Sequence, residues 1–529
     1  MKRIISILLT ITMVLCITTS IPLSASAATT DKIESNYTYT NQYGSWTYEL
    51  TASGDGYEIT DYDESMNDIE IPSSIDNIPV VEIGDYAFRS CSSLRSITIP
   101  DSVTSIGAWA FSHCSSLISI TIPDSVTTIG DGAFCGCSSL TNIEISSNNK
   151  NFSSIDGILF NKTQSQLICY PAGKLSDNYT ISNSVTTIGY YAFSYCSSLI
   201  SITIPDSVTT IGNYAFYECS NLTSITIPNS VTTIGKYAFA YCSSLISITI
   251  PDSVTTIGDS AFYKCSSLTS ITIPDSVTTI GDSAFRYCRS LTKITIPNGV
   301  TTIGNYAFHD CSSLTQITIP NSVTTIGNYV FCSCDSLTSI TIPNSVTTIG
   351  NGVFEYCSNL TSITIPDSVT TIGDHAFYEC SGLTSITIPD SVTSIGNYTF
   401  YSCDSLTSIT IPDNVTTIGY SAFSYCRKLN DVYYTGSESQ WNNISISDYN
   451  SCLTNTNIHF NYVAPILGDI SGDGEISIND VLYLMKYLIG DMELSDEQLA
   501  NADATNDGKL TLADAIMIQK VVLGMVELA

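Results

Sequence analysis

The residues best suited to chemistry stand near the C-terminal end of the chain. DISGDGEISIND, residues 469–480, is followed 34 residues later by DATNDGKLTLAD, residues 503–514. Numbered from their first aspartate, the two copies place polar groups at positions 1, 3, 5, 7, 9 and 12. The first copy has Asp469, Ser471, Asp473, Glu475, Ser477 and Asp480. The second has Asp503, Thr505, Asp507, Lys509, Thr511 and Asp514. Ca²⁺ is a hard cation that collects six to eight oxygens, and alternate residues of a tightly turning loop supply them. Position 7 contributes its backbone carbonyl, so Glu475 and Lys509 are equivalent there. Gly474 and Gly508 at position 6 allow the sharp turn, and the position-12 carboxylate closes the shell. Two calcium sites are the expectation. Ser471 and Thr505 stand where Asp or Asn is usual, which weakens each site.

An apolar helix follows each loop: VLYLMKYLIG at 481–490 and AIMIQKVVLG at 515–524, each ending in glycine. No helix enters the first loop, because VAPILG precedes it and Pro465 disfavours one. Ser495 and Gln498 form a capping box for a short connecting helix. The loops have EF-hand-type spacing, and the duplicated loop-then-helix resembles a dockerin, the small all-α module that plugs into a cohesin on a cellulosomal scaffold. The resemblance covers 466–529 within a module bounded at 464–529. It implies the calcium ligands named above, position-12 aspartate included. It also implies cohesin contacts at loop positions 10–11 and helix positions 17–18. Here those are Ile478, Asn479, Met485 and Lys486, and then Leu512, Ala513, Gln519 and Lys520. The copies match in part, so binding in two orientations related by the internal twofold stays open.

A different architecture must present this module. Across about two thirds of the chain a 23-residue unit repeats, as in LTSITIPDSVTTIGDSAFRYCRS at 268–290. A fixed period of 20–29 residues with a leucine-rich core signals a solenoid. Leu268, Ile271 and Ile273 point inward while Ser270 and Thr272 point outward, which is a short strand. Pro274 ends it. Val277 and Ile280 return to the core, Gly281 is expected to make a tight bend, and Ala284, Phe285 and Cys288 a short helical turn. No single turn buries its own apolar face, so stacking supplies the core. Sixteen or so turns at ~4.8 Å spacing give a rod roughly 75–80 Å long.

The pattern L-x-x-I-x-I-P-x-x-V-x-x-I-G-x-x-A-F-x-x-C resembles the BspA-like leucine-rich repeats of bacterial surface proteins. The expected layout is a signal peptide at 1–27, an N-terminal β cap at 28–64, the solenoid at 65–430 and a C-terminal cap and linker at 431–463. A β-hairpin is let into one turn at 147–173. The resemblance implies adhesion to a protein partner and leaves the solenoid's ligand, protein or glycan, unnamed. Two features bear on that ligand. The strand face is monotonous, with Thr203, Thr226, Thr249, Thr272, Thr295, Thr318 and Thr341 in one register. Two residues after the repeat glycine runs an aromatic column: Tyr86, Trp109, Tyr191, Tyr214, Tyr237, Tyr306, Tyr329 and Tyr398. It reads as a cover for the solenoid flank, or as a ligand strip running from Tyr191 to Tyr398.

Composition narrows the function. With 18 basic against 49 acidic residues and a net charge of −31, the chain is unsuited to gripping phosphates of nucleic acid or an anionic membrane. Lys2 and Arg3, an apolar run from Ile4 to Ile17 and Ala25-Ser26-Ala27 read as a secretory signal. No later segment is apolar enough over sufficient length for membrane insertion. Of 19 cysteines, 14 recur in register, from Cys91 to Cys137 and from Cys196 to Cys426, and read as a reduced buried ladder. Cys135, Cys169, Cys332 and Cys452 lie off it and are free or paired. His113, His309 and His375 sit on separate turns, and with His459 they are the only histidines. No nucleophile motif, phosphate loop or zinc pair is present. The expectation is an exported binding protein and not an enzyme. It reaches a cellulosome or the cell surface through its dockerin. Alternatives are a host- or bacteria-binding adhesin and a structural cellulosome component.

Overall fold

The computed structural model describes residues 37–526, apart from 65, 464–465 and 507. The expected signal peptide, the start of the expected N-terminal cap at 28–36 and the expected calcium ligand Asp507 lie outside the described residues.

The solenoid has about 17 turns. In the turn at 268–290, Ser270–Thr272 is a strand paired in parallel with Ser247–Thr249 before it and Lys293–Thr295 after it, with no slip in register. Leu268, Ile271 and Ile273 are buried and Thr272 is exposed. Beyond Pro274 the chain turns, with the Val277 N–H donating to the Pro274 carbonyl at 3.0 Å. Thr279–Ile280 then forms a strand in a second parallel sheet. Two-residue strands are too short to show any periodicity, so the sequence reading contained one strand per turn and missed this one.

The return arm is a run of tight turns and not a helix. Ser283 (φ 56°) and Tyr287 (φ 64°) adopt the left-handed region, which a right-handed helix cannot include. The N–H groups of Ser283, Phe285 and Tyr287 donate to the next turn, at the carbonyls of Asn305 (2.7 Å), Ala307 (2.8 Å) and His309 (2.8 Å). The alternate N–H groups of Ala284, Arg286 and Cys288 bond within the arm. All the arm's donors are thus used, half of them to stack turn on turn. Gly281 serves this stacking. Its φ is not positive, and a Cβ there would stand 2.7 Å from the backbone nitrogen of Asp259. Close approach of successive turns requires the glycine, where a tight bend was expected.

The core is a set of ladders. Phe262, Phe285 and Phe308 stack at 5.3 and 5.5 Å with rings nearly parallel. Most ladder thiols donate to a phenylalanine carbonyl of the preceding turn, as Cys265 does to Phe239 at 3.1 Å and Cys288 to Phe262 at 3.2 Å, while Cys196 donates to the Tyr170 carbonyl at 3.5 Å.

The insert interrupts the second sheet. Phe152–Ile155 and Ile158–Asn161 form an antiparallel hairpin. Gln166–Cys169 pairs antiparallel to the hairpin and parallel to Thr187–Ile188. A new sheet therefore starts at the insert, separate from the one that ends at Thr128–Ile129. The buried core divides there too, into clusters on either side.

Both solenoid ends are closed. Tyr37–Asn41, Gly44–Leu50 and Tyr57–Tyr62 form an antiparallel sheet whose Trp46 and Tyr62 pack on Phe88. At the other end Asp431–Tyr434, Asn457–His459 and Ser445–Ile446 extend the two parallel sheets, and Trp441 from the short helix Glu438–Trp441 packs on buried Tyr434.

Among its described residues the C-terminal module has three helices: Ile478–Leu488, Asp496–Ala502 and Leu512–Val522. Its small core contains Ile470, Leu484, Ala502, Ala515 and Ile518. Gly490 (φ 78°) and Gly524 (φ 67°) terminate the two long helices in the left-handed conformation.

Candidate metal loops and partner-binding surfaces

Each acidic loop is organised around its first and last carboxylates. Asp469 Oδ1 accepts the N–H groups of Gly472 (2.7 Å) and Asp473 (3.2 Å) and the Ser471 hydroxyl (3.2 Å), and Oδ2 accepts the Gly474 N–H (2.8 Å). Asp480 Oδ1 accepts the Ser471 N–H at 2.8 Å and Oδ2 the Ser477 N–H at 2.7 Å. The second loop repeats this: Asp514 takes the N–H groups of Thr505 (2.9 Å) and Thr511 (2.8 Å), and Asp503 that of Gly508 (2.8 Å). Gly474 (φ 88°) and Gly508 (φ 75°) make the expected turn. Position 4 is left-handed as well, through Gly472 (φ 74°) and Asn506 (φ 53°).

Asp480 and Asp514 are fully buried. Burial alone would raise their carboxyls, yet both are held below the usual range, because backbone N–H groups and the loop hydroxyls stabilise the carboxylate. The charge at position 12 is therefore built in. Position 12 also closes a capping box with Ser477 or Thr511 as N-cap, so loop closure and helix start share one side chain. Among the described residues the acidic side chains do not draw into a cage of three. The donor set is oxygen only, with a left-handed glycine at position 6, and this fits a hard cation.

All eight nominated contact residues, from Ile478 to Lys520, are exposed. They extend into a longer feature that the sequence reading missed. Ile478, Leu482, Met485 and Ile489 form an exposed apolar stripe at i, i+4, i+7 and i+11. Leu512, Ile516 and Leu523 repeat it, with Gln519 at the third place. Helical spacing from the nominated positions was the signal that would have found Leu482 and Ile516.

On the solenoid the nominated tyrosines are half-buried and fall into separate blocks. Tyr191, Tyr214 and Tyr237 stack face to face at 4.6 and 4.7 Å, and Tyr306 and Tyr329 at 5.0 Å. Tyr398 stacks on His375 at 4.9 Å, while Ser260, Ser283 and Gly352 leave gaps. Stacking turns the ring faces toward one another. A second column was missed: Tyr195, Tyr217, Tyr241, Tyr263 and Tyr287 meet tilted or edge to face at 5.2–5.7 Å. These alternate between the fifth and sixth residues after the repeat glycine, which hides them from a fixed-register search. Lys264 sits 4.8 Å above Tyr241, and Arg286 4.8 Å above Tyr306. Three histidines join the aromatic rows, His113 against Tyr195, His309 against Tyr287 and His375 against Tyr398, whereas His459 pairs with Asp431 at 2.8 Å. Among the described residues Cys135, Cys169, Cys332 and Cys452 form no disulfide.

The repeat matches the BspA type leucine rich repeat region over residues 60–177, 169–292, 278–387 and 347–466. The chain belongs to the BspA-type leucine-rich-repeat family. Residues 467–523 match the dockerin type I domain, so the BspA-type solenoid is followed by a dockerin. A leucine-rich repeat protein from Bacteroides ovatus is 30% identical with a TM-score of 0.52, over 80% of this chain and all of the other. A leucine rich cell surface protein from Faecalibacterium prausnitzii is 31% identical with a TM-score of 0.41, over 78% of this chain and 98% of the other. No curated protein matches the chain. Both matched modules of this BspA-type protein are binding modules. No helix among its described residues is long and apolar enough to cross a membrane.

Proposed function

We propose that this BspA-type protein is an exported, non-catalytic adaptor. Its dockerin docks a scaffoldin cohesin in a calcium-dependent manner, and its solenoid holds a protein or glycan target. A polysaccharide-degrading complex of the cellulosome type is the setting. The observation that carries the reading is the pair of equivalent apolar stripes on the dockerin helices, exposed on both copies and anchored at their starts by the acidic loops. An exposed apolar patch rimmed by polar residues marks an interaction surface. Asn479 and Lys486, with Ala513 and Lys520, would flank it in the complex.

Calcium would be held by Asp469, Ser471, Asp473, Ser477 and Asp480 with the Glu475 carbonyl, and by Asp503, Thr505, Asp507, Thr511 and Asp514 with the Lys509 carbonyl. The ion would supply positive charge that lets each loop's carboxylates converge. The loop's own part is to aim the position-12 carboxylate and fix the start of the contact helix.

The test is calorimetric titration of the full chain with Ca²⁺, then a cohesin panel with and without chelator. Two bound ions and chelator-sensitive cohesin binding are expected. Absence of both would leave a freely secreted adhesin.

A further inference from the structure

The hairpin insert breaks a polar ladder and leaves its ends facing a cavity. In most turns the residue after the repeat glycine is Asp or Asn, and its side chain accepts the N–H of the same position one turn on. Asn328 donates to Asn305, Asn351 to Asn328, and Tyr420 to Asn397, each at 2.8 Å. Asp131 and Tyr190 hold this position in the turns flanking the insert, after Gly130 and Gly189. They do not bond to each other. Among the described residues neither the Asp131 carboxylate nor the Tyr190 N–H has a protein partner.

Between them lies a cavity of about 250 Å³. Gln166 of the insert also lines it. Among the described residues the Gln166 side-chain amide makes no hydrogen bond, and its Nε2 lies 3.3 Å from where Gly189 would carry a Cβ. Phe152 and the thiols of Cys135 and Cys169 complete the wall. The Tyr190 ring is 49% exposed.

We propose that this cavity binds a single neutral sugar ring, such as the end residue of a polysaccharide chain. The three unpartnered groups decide the chemistry. Asp131 only accepts, the Tyr190 N–H only donates, and the Gln166 amide does both. A hydroxyl answers all three, whereas an ammonium leaves the N–H unmet. An anion meets Asp131 on a chain of net charge −31. The apolar C–H face of a sugar suits the open Tyr190 ring. The volume lies below the range of drug-sized sites, so one ring fits and an oligosaccharide does not. This rests on the reading of the solenoid as the target-holding part and names the class of target.

The experiment is saturation-transfer NMR on the full chain with glucose, galactose, mannose, xylose, arabinose and N-acetylglucosamine. Asp131→Ala and Gln166→Ala are run beside it, with melting temperature as the check on folding. At least one sugar is expected to bind with Kd on the order of millimolar, and each substitution to weaken it by about tenfold. Trp109, whose ring packs 4.4 Å from Tyr191 beside the cavity, should report binding by fluorescence. Binding by none of the six sugars, or binding that survives both substitutions, overturns the proposal. Cohesin and protein-target binding retained in the same preparation would then leave the adaptor reading standing.

Discussion

At the scale of single residues, the molecule uses burial to fix protonation. Burial pushes the Cys135 thiol up to about 11 and the Cys332 thiol up to about 12. An unfolded cysteine titrates near about 8.5. The native state therefore keeps its proton where the unfolded state loses it, so this contribution is complete below about pH 8.5 and falls as pH rises toward those folded values. Each such thiol makes stability fall by about 1.4 kcal/mol per pH unit inside the window. Burial pushes the ladder thiols Cys265 and Cys288 up as well, so chemical denaturation followed from pH 7 to 11 should show a steep alkaline loss. A flat profile would refute the buried thiols. Asp480 works in the opposite sense. Its carboxyl is lowered, so its contribution is present above about pH 4 and is lost as pH falls through the folded value. Asp480→Ala removes the acceptor for the Ser471 and Ser477 N–H groups. Calorimetry should then count one calcium instead of two, and the dockerin should lose about 1–2 kcal/mol through the broken cap.

At the scale of elements, the turn is stabilised by what its neighbours offer. The second strand, Thr279–Ile280, has two residues and exists because Thr256–Ile257 and Thr302–Ile303 stand on either side. Gly281 is where the stack is tightest. Gly281→Ala places a methyl against the Asp259 backbone, and such overpacking costs about 1–3 kcal/mol. Thermal melting of that variant should show the loss, while Ser283→Ala, at a left-handed position already held by a side chain, should cost less than about 1 kcal/mol. Equal losses would count against close approach as the reason for the glycine.

At the scale of the whole molecule, the joint between solenoid and dockerin is short. Tyr462 still bonds to the Tyr434 carbonyl, and the Asp469 N–H already bonds to Ile466. The four residue steps from 462 to 466 span at most ~14 Å when extended. Small-angle scattering of the calcium-loaded chain should therefore fit a narrow range of solenoid–dockerin separations. A broad distribution would show that the anchoring bonds open.

The sequence by itself determined the repeat and its stacking, since a 23-residue period with Leu268, Ile271 and Ile273 inward admits few other arrangements. It also determined the acidic loops, because oxygen donors at fixed loop positions are a local pattern, and the Ser495–Gln498 capping box, which the structure contains. What only tertiary structure decided depends on contacts between turns. The second sheet, the zigzag tyrosine column and the left-handed Ser283 and Tyr287 arise from residues 22 or more apart meeting across the stack. The cavity at the insert has the same origin. Asp131 looks like the other Asp and Asn residues of its ladder until the turn that should receive it is displaced by a hairpin, and no local pattern records that displacement.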